Sequence, residues 1–139
     1  MSAFAVSQPG VTIGGLVLSL REPKVVSDLR QLTVAVFKMS RGLPKHLRPT
    51  VAGRIEQHSL DAWLGTRHFA LTAGVLKSKH VGLLDQALGS IETISCLIEL
   101  CLELRAVSVG AYGELIAVLE QIRRQLFALQ KKYADAPAP

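Results

Sequence analysis

Two histidines and an aspartate are the side chains of this sequence best suited to proton transfer or metal binding. His58 and Asp61 are three residues apart, so on a helix both would lie on one face. His68 comes ten residues after His58, which places it about 15 Å further along the helix axis. Bundles that bind two metal ions use Glu-x-x-His pairs on several helices, and the sequence has no such pair. We therefore expect hydrogen bonding at these positions, and an enzyme with a catalytic, metal or cofactor site is the least favoured interpretation.

Positive charge collects where one helix must stop and another begin, in residues 41–55, which we call the basic corner. Pro44 and Pro49 interrupt helical hydrogen bonding and so predict the helix boundary. The cations there suit contacts to the phosphates of a nucleic acid, beside the unpaired N–H groups of a helix start. The alternative is that they only keep a helix end soluble. The candidate binding residues of the corner are Arg41, Lys45, His46, Arg48 and Arg54.

A second set of cations comes late in the chain, and the predicted bundle places it toward the opposite end. The set adds four candidate binding residues, Arg123, Arg124, Lys131 and Lys132. Aromatic residues that could stack on bases are scarce, and Trp63 is expected to pack in the core. Any binding of RNA or DNA would therefore be directed at the phosphate backbone and sensitive to salt.

Four amphipathic segments must position these residues. Apolar residues recur at three- and four-residue steps, which predicts helices over 24–41, 49–76, 81–105 and 109–133. Gly42 suits a C-cap with positive φ, Pro49 the first helical turn, and Ser108 an N-cap. Short turns between long helices predict an all-α, up-down-up-down antiparallel four-helix bundle. In the second helix we expect burial of Ile55, Leu60, Trp63, Leu64, Leu71 and Val75.

The two ends of the chain lie outside this bundle of residues 24–133. Residues 1–23 lack helical periodicity and carry β-branched residues around a glycine pair, which predicts an extended N-terminal arm with a short strand or hairpin. Residues 134–139 are predicted to be a disordered tail.

Composition limits the classes of protein and partner. Of 139 residues, 49% are hydrophobic and only 19% charged, so we expect self-association to cover apolar surface. The formal net charge of +5 favours acidic partners, with nucleic acid before an anionic membrane surface or an acidic protein. Cys96 and Cys101 match no redox or zinc spacing and are expected to be buried, reduced thiols in a cytoplasmic protein. No membrane span or export signal is predicted.

From about Val26 to Lys132 the chain resembles a family of four-helix bundles that includes the accessory variability (Avd) proteins of diversity-generating retroelements and the proteins encoded by rRNA intervening sequences. Leu43-Pro44-Lys45, Arg48 and Gly53-Arg54-Ile55-Glu56 are similar to the family's Phe-Pro-Lys, Arg and Gly-x-Arg-Leu-Glu segments. The run Leu119-Glu120-Gln121-Ile122-Arg123-Arg124 resembles the family's Leu-x-Glu-Ile-Gly-Arg. Arg123 and Phe127 stand where the family has glycine, and the Avd branch is the closer one.

The resemblance implies a homopentamer with a basic surface that binds a reverse transcriptase and its template RNA and supports cDNA synthesis without being catalytic. Lys45, Arg48, Arg54 and Arg124 are the matching residues for that role. The second hypothesis is a structural or scaffold homo-oligomer whose cations serve solubility. Nucleic-acid binding that falls with salt would distinguish the two.

Overall fold

The computed structural model describes residues 11–13, 16–18, 22–72 and 74–134, with side chains over 22–72 and 77–134. Strands β1 (Val11–Ile13) and β2 (Leu16–Leu18) pair antiparallel, with Val11 opposite Leu18. The helices are α1 (Lys24–Arg41), α2 (Gly53–Leu71), α3 (Gly82–Glu103) and α4 (Val109–Ala134). The rest of the predicted arm and most of the predicted tail lie outside the described residues.

Each helix packs antiparallel against its neighbours in sequence, and α4 returns to α1. Paired contacts establish this sense, because residue numbers rise along one helix as they fall along the next. Between α2 and α3, His58 contacts Ser90 while Gly65 lies near Leu83. Between α3 and α4, Asp85 contacts Gln130 while Glu92 contacts Arg123. The predicted all-α four-helix bundle is therefore confirmed. Hydrogen bonds link Thr33 to Ser59 between α1 and α2, His58 to Ser90 between α2 and α3, Gln130 to Asp85 between α4 and α3, and Gln125 to Asp28 between α4 and α1.

The apolar stripe of α1 faces the core as its periodicity predicts. The buried residues of α1 recur at helical spacing. On α4, three residues are fully buried, and the half-buried residues around them also contact the core. The buried positions of these two helices are Val25, Val26, Leu29, Leu32, Thr33, Val36 and Ser40 on α1, and Leu119, Ile122 and Leu126 on α4.

The buried face of α2 differs from the predicted one. Leu64 and Leu71 are 52% and 56% exposed, so their expected burial was wrong, while Ile55 is buried as predicted. The face that turns inward carries mostly small residues. The backbones of α2 and α3 come close at Gly65. A Cβ added at Gly65 would lie 3.9 Å from the carbonyl oxygen of Leu83 on α3. The buried residues of α2 are Ile55, Ser59, Ala62, Thr66 and Phe69.

The helix α2 also ends earlier than the predicted Leu76. Thr72 adopts an extended conformation with ψ of 137°, and its N–H donates to the Phe69 carbonyl at 3.1 Å. Its hydroxyl donates to the His68 carbonyl at 2.9 Å. The Thr72 backbone thus leaves the helical path, and a 3-10 helix over Gly74–His80 leads into α3. The side chain of Val75 lies outside the described residues.

The turn between α3 and α4 contains the one non-glycine residue with positive φ in the described chain, Arg105 at 57°. The Ala106 N–H donates to the Cys101 carbonyl at 2.8 Å and the Arg105 N–H to the Leu102 carbonyl at 2.9 Å. This pair of bonds is the Schellman arrangement that closes a helix, usually with glycine at the position of Arg105. Ser108 then caps α4 as predicted, since its hydroxyl accepts from the Ala111 N–H at 3.1 Å.

The two cysteines are both free thiols but lie in different surroundings. Cys101 is fully buried in the core, and this burial raises the pKa of its thiol. Cys96 is exposed, so its expected burial was wrong. It lies on an exposed side of α3, as does Leu100 four residues later.

One stretch, Lys77–Glu103, is long and apolar enough to cross a membrane by length and composition, with a mean hydropathy of 1.3. Core helices of soluble proteins pass the same test. Helix α3, which forms most of this stretch, packs between α2 and α4.

Candidate nucleic-acid interface

Two buried leucines hold the basic corner against the bundle. Leu43 and Leu47 are 2% and 7% exposed, and between them Pro44 begins a single 3-10 turn over Lys45–Leu47. Because both leucines point into the core, the intervening polar residues are turned outward. The corner is thus a short, fixed connection.

The corner then joins α2 through a wide, π-type turn over Arg48–Ala52, with Pro49 in its first turn as predicted. Gly42 caps α1 by donating to the Met39 carbonyl at 2.9 Å. Its φ is −87°, so the expected positive φ was wrong at this glycine. The backbone turns here by ordinary right-handed conformations, and the left-handed residue lies at Arg105 instead.

Arg48 is occupied by the chain's own backbone. Its Nε donates to the Leu43 carbonyl at 3.2 Å, and its Nη2 donates to the Arg41 carbonyl at 2.9 Å. These bonds satisfy carbonyls that the end of α1 leaves unpaired, and a cation at a helix C-terminus also interacts well with the helix dipole. Arg48 therefore holds the corner together, and part of its guanidinium is used for that purpose.

The remaining predicted cations of the corner are displayed to solvent. Their side chains are exposed, and none has a hydrogen bond or ion pair within the part of the chain that the structure describes. From Leu29 to Ile55 no acidic residue lies among them. These exposed cations are Arg41, Lys45, His46 and Arg54.

A cavity of about 220 Å³ opens beside these cations, between the end of α1 and the start of α2. It is lined by Ser40, Arg41, Arg48, Ala52 and Glu56. Ser40 is 4% exposed, and its hydroxyl has no hydrogen-bond partner among the residues that the structure describes. Glu56 is half-buried, and no ion pair within the described residues engages it. The cavity thus combines positive charge with an available carboxylate and an unpaired hydroxyl.

Sequence reasoning did not select Ser40 or Glu56, although each leaves a signal. Ser40 continues the buried apolar stripe of α1 four residues after Val36, where a polar side chain is out of place. Glu56 is the first acid after Asp28. Only the fold brings the two residues to one cavity.

The second predicted set of cations lies along α4, away from the corner. Arg123 is paired with Glu120 at 2.8 Å and with Glu92 at 3.9 Å. Arg124, Lys131 and Lys132 are exposed. Lys131 is 22 residues into α4, about 33 Å from the end that adjoins the corner. The two sets of cations therefore do not form one continuous surface on a single chain.

Lys77, near this second set, has a structural role. Its Nζ donates to the carbonyls of Phe69, Ala70 and Thr72 at 3.1, 3.0 and 2.7 Å. It also lies 5.2 Å from the ring centroid of Phe69 and 5.9 Å from that of Tyr133. One ammonium group thereby closes the C-terminus of α2 and joins it to α4.

His58 and Asp61 of α2 make hydrogen bonds as expected, whereas the side chain of His68 makes none within the described residues. Nδ1 of His58 lies 3.3 Å from the hydroxyl oxygen of Ser90, and Asp61 accepts from Gln57 at 2.9 Å. His68 lies further along, with its ring 6.2 Å from that of His80. No group of three or more His, Cys, Asp or Glu side chains that could hold a metal ion occurs within the described residues.

The fold and the site together define a class, a four-helix bundle with a basic corner between its first two helices. No protein-family model and no curated protein matches the chain.

Proposed function

We propose that this protein is a non-catalytic, basic accessory protein that binds RNA or DNA through the phosphate backbone. The observation that carries the proposal is the group of exposed cations at the basic corner, which lack acidic partners within the described residues. Arg41 is the last residue of α1, Lys45 lies in the turn that follows, and Arg54 lies in the first turn of α2, where helix N–H groups add to the positive potential. Phosphate oxygens are the natural partners of such a surface.

The partner polymerase and the assembly are proposed from the resemblance to Avd proteins. In that setting the chain acts as a homo-oligomer, a pentamer, in the cytoplasm beside a reverse transcriptase and supports cDNA synthesis. Exposed apolar residues on α2, α3 and α4 support assembly, because a monomer would leave them in water. Those more than 40% exposed are Leu64, Leu71, Leu100, Leu104, Val109 and Phe127.

The same apolar residues favour the second candidate, a scaffold homo-oligomer with no nucleic-acid role. In that case the cations of the corner serve only solubility. The two candidates agree about self-association, so a measured mass alone does not separate them. Binding of nucleic acid does.

The test titrates fluorescent single-stranded RNA and DNA of one sequence with the purified protein at several salt concentrations. A first variant reverses Arg41, Lys45 and Arg54 to Glu, and leaves Arg48 intact because its side chain holds the corner. A matched variant reverses Lys24, Arg30 and Lys79, three exposed cations away from the corner that are not candidate binding residues, with the same change in net charge. Light scattering on each protein records its mass.

We expect the corner variant to lose most of the binding and the distal variant to keep it. Loss of three phosphate contacts should also reduce the slope of log K against log salt by about 2. Equal losses in both variants would mean that net charge alone attracts the nucleic acid. Absence of binding by the wild type at low salt would leave the scaffold candidate.

A further inference from the structure

The cavity at the basic corner contains a polar group that the fold leaves without a partner. The hydroxyl of Ser40 is buried and makes no hydrogen bond within the described residues. An unpaired buried hydroxyl is unfavourable, and most such groups in proteins are paired. A ligand or water entering the cavity beside it would supply the missing partner.

The charges around the cavity restrict the chemistry of that ligand. Arg41 and Arg48 attract an anion, whereas the carboxylate of Glu56 repels one and accepts hydrogen bonds from a donor. A simple anion would therefore meet attraction and repulsion together. A group with an anionic oxygen and a nearby hydroxyl donor would match both kinds of side chain.

We infer that this cavity binds a ribose together with its phosphate, and that Glu56 reads the 2′-hydroxyl so that the protein prefers RNA to DNA. The phosphate lies against Arg41, and the 2′-hydroxyl donates to the Glu56 carboxylate and accepts from the Ser40 hydroxyl. Deoxyribose offers no donor at this position. A cavity of about 220 Å³ is smaller than the usual site for a whole drug-sized molecule but suits one sugar-phosphate unit. This inference rests on the proposed binding of nucleic acid.

The experiment compares four single strands of one sequence: RNA, DNA, 2′-O-methyl RNA and 2′-fluoro RNA. The last two lack the donor hydrogen but keep a substituent at the 2′ position. We expect RNA to bind about tenfold more tightly than the other three, the effect of one hydrogen bond to a charged group.

The Glu56→Ala variant should bring the four affinities together, because it removes both the acceptor for the 2′-hydroxyl and the charge that repels the phosphate. Glu114→Ala is the matched control: it removes the same carboxylate from an exposed residue of α4 and should keep the preference for RNA. Ser40→Ala should weaken the preference without lowering the unfolding midpoint, since no hydrogen bond is lost.

Equal binding of RNA and DNA by the wild type would overturn the inference and leave the proposed function standing. Equal binding of RNA and 2′-O-methyl RNA would also overturn it, because the donor would then play no part. If no strand bound at low salt, the inference and the proposed function would both fail.

Discussion

The Nη2 atom of Arg48 donates to the backbone carbonyl of Arg41 at 2.9 Å, across the corner that joins α1 to α2. Two cations close in sequence thereby have different roles. Arg48 ties the end of α1 to the start of the next turn, while the side chain of Arg41 is exposed and lines the cavity. A charge change at Arg48 would alter the shape of the surface that the other cations share.

We expect Arg48→Lys to lower the free energy of unfolding by about 1 kcal/mol, because one ammonium cannot reproduce the two hydrogen bonds of the guanidinium fork. Urea denaturation at neutral pH measures the change. The control is Arg54→Lys, which keeps the charge of an exposed arginine without a hydrogen bond in the described chain. An Arg48→Lys protein as stable as the wild type would mean that these bonds add nothing to the native state.

Lys77 should contribute more to stability than an ordinary surface lysine. Lys77→Met keeps most of the side-chain volume but removes the ammonium that donates to three carbonyls at the end of α2, of which the Phe69 carbonyl keeps the Thr72 N–H. We expect the free energy of unfolding to fall by about 2 kcal/mol. Lys79→Met, two residues on and exposed, should change it by less than about 0.5 kcal/mol. Similar losses in the two variants would contradict a special role for Lys77.

The sequence pattern predicts which face of α1 is buried but not which face of α2 is buried. The stripe of α1 alternates large apolar with polar residues, so its buried face follows from helical periodicity. In α2 the buried face carries small residues such as Ser59 and Ala62, while Leu64 is exposed. Side-chain hydrophobicity cannot reveal this, since the choice depends on how closely two backbones approach.

The basic corner shows the same limit at the level of the site. The two prolines and the cluster of cations predict its place in the chain. The sequence also predicts the N-cap of α4 at Ser108. The sequence does not predict which of these cations is engaged by the backbone, because Arg48 donates hydrogen bonds to carbonyls five and seven residues away. The cavity with Glu56 needs the approach of α1 to α2, which only the folded chain provides.

The buried thiol of Cys101 should make stability fall at alkaline pH. Burial raises the pKa of this thiol in the folded protein, so the unfolded chain loses the proton at a lower pH. Stability is therefore unaffected below the ordinary thiol pKa and decreases as pH rises above it toward the folded value.

Urea denaturation at neutral and alkaline pH measures this loss. Cys101→Ala should be less stable than the wild type at neutral pH, because it leaves a small cavity, but should lose less stability on going to alkaline pH. Cys96→Ala, which changes the exposed thiol, should keep the wild-type dependence. An equal alkaline loss in all three proteins would assign the effect to other groups.

Arg105 and Gly42 make a reciprocal pair of predictions about the backbone. Arg105 has a φ of 57°, a conformation that costs an ordinary L-residue about 1 kcal/mol more than glycine. Arg105→Gly should therefore raise the free energy of unfolding by about that amount, while Arg105→Lys should leave it unchanged.

Gly42 has a φ of −87°, and an added Cβ would meet the Met39 carbonyl oxygen at 3.5 Å, an ordinary contact. Gly42→Ala should then stabilise the protein by about 0.5 kcal/mol, because alanine restricts the unfolded chain. Thermal and urea unfolding of the three variants measure these changes. A less stable Arg105→Gly would mean that the arginine side chain makes a contact worth more than the strain of its backbone.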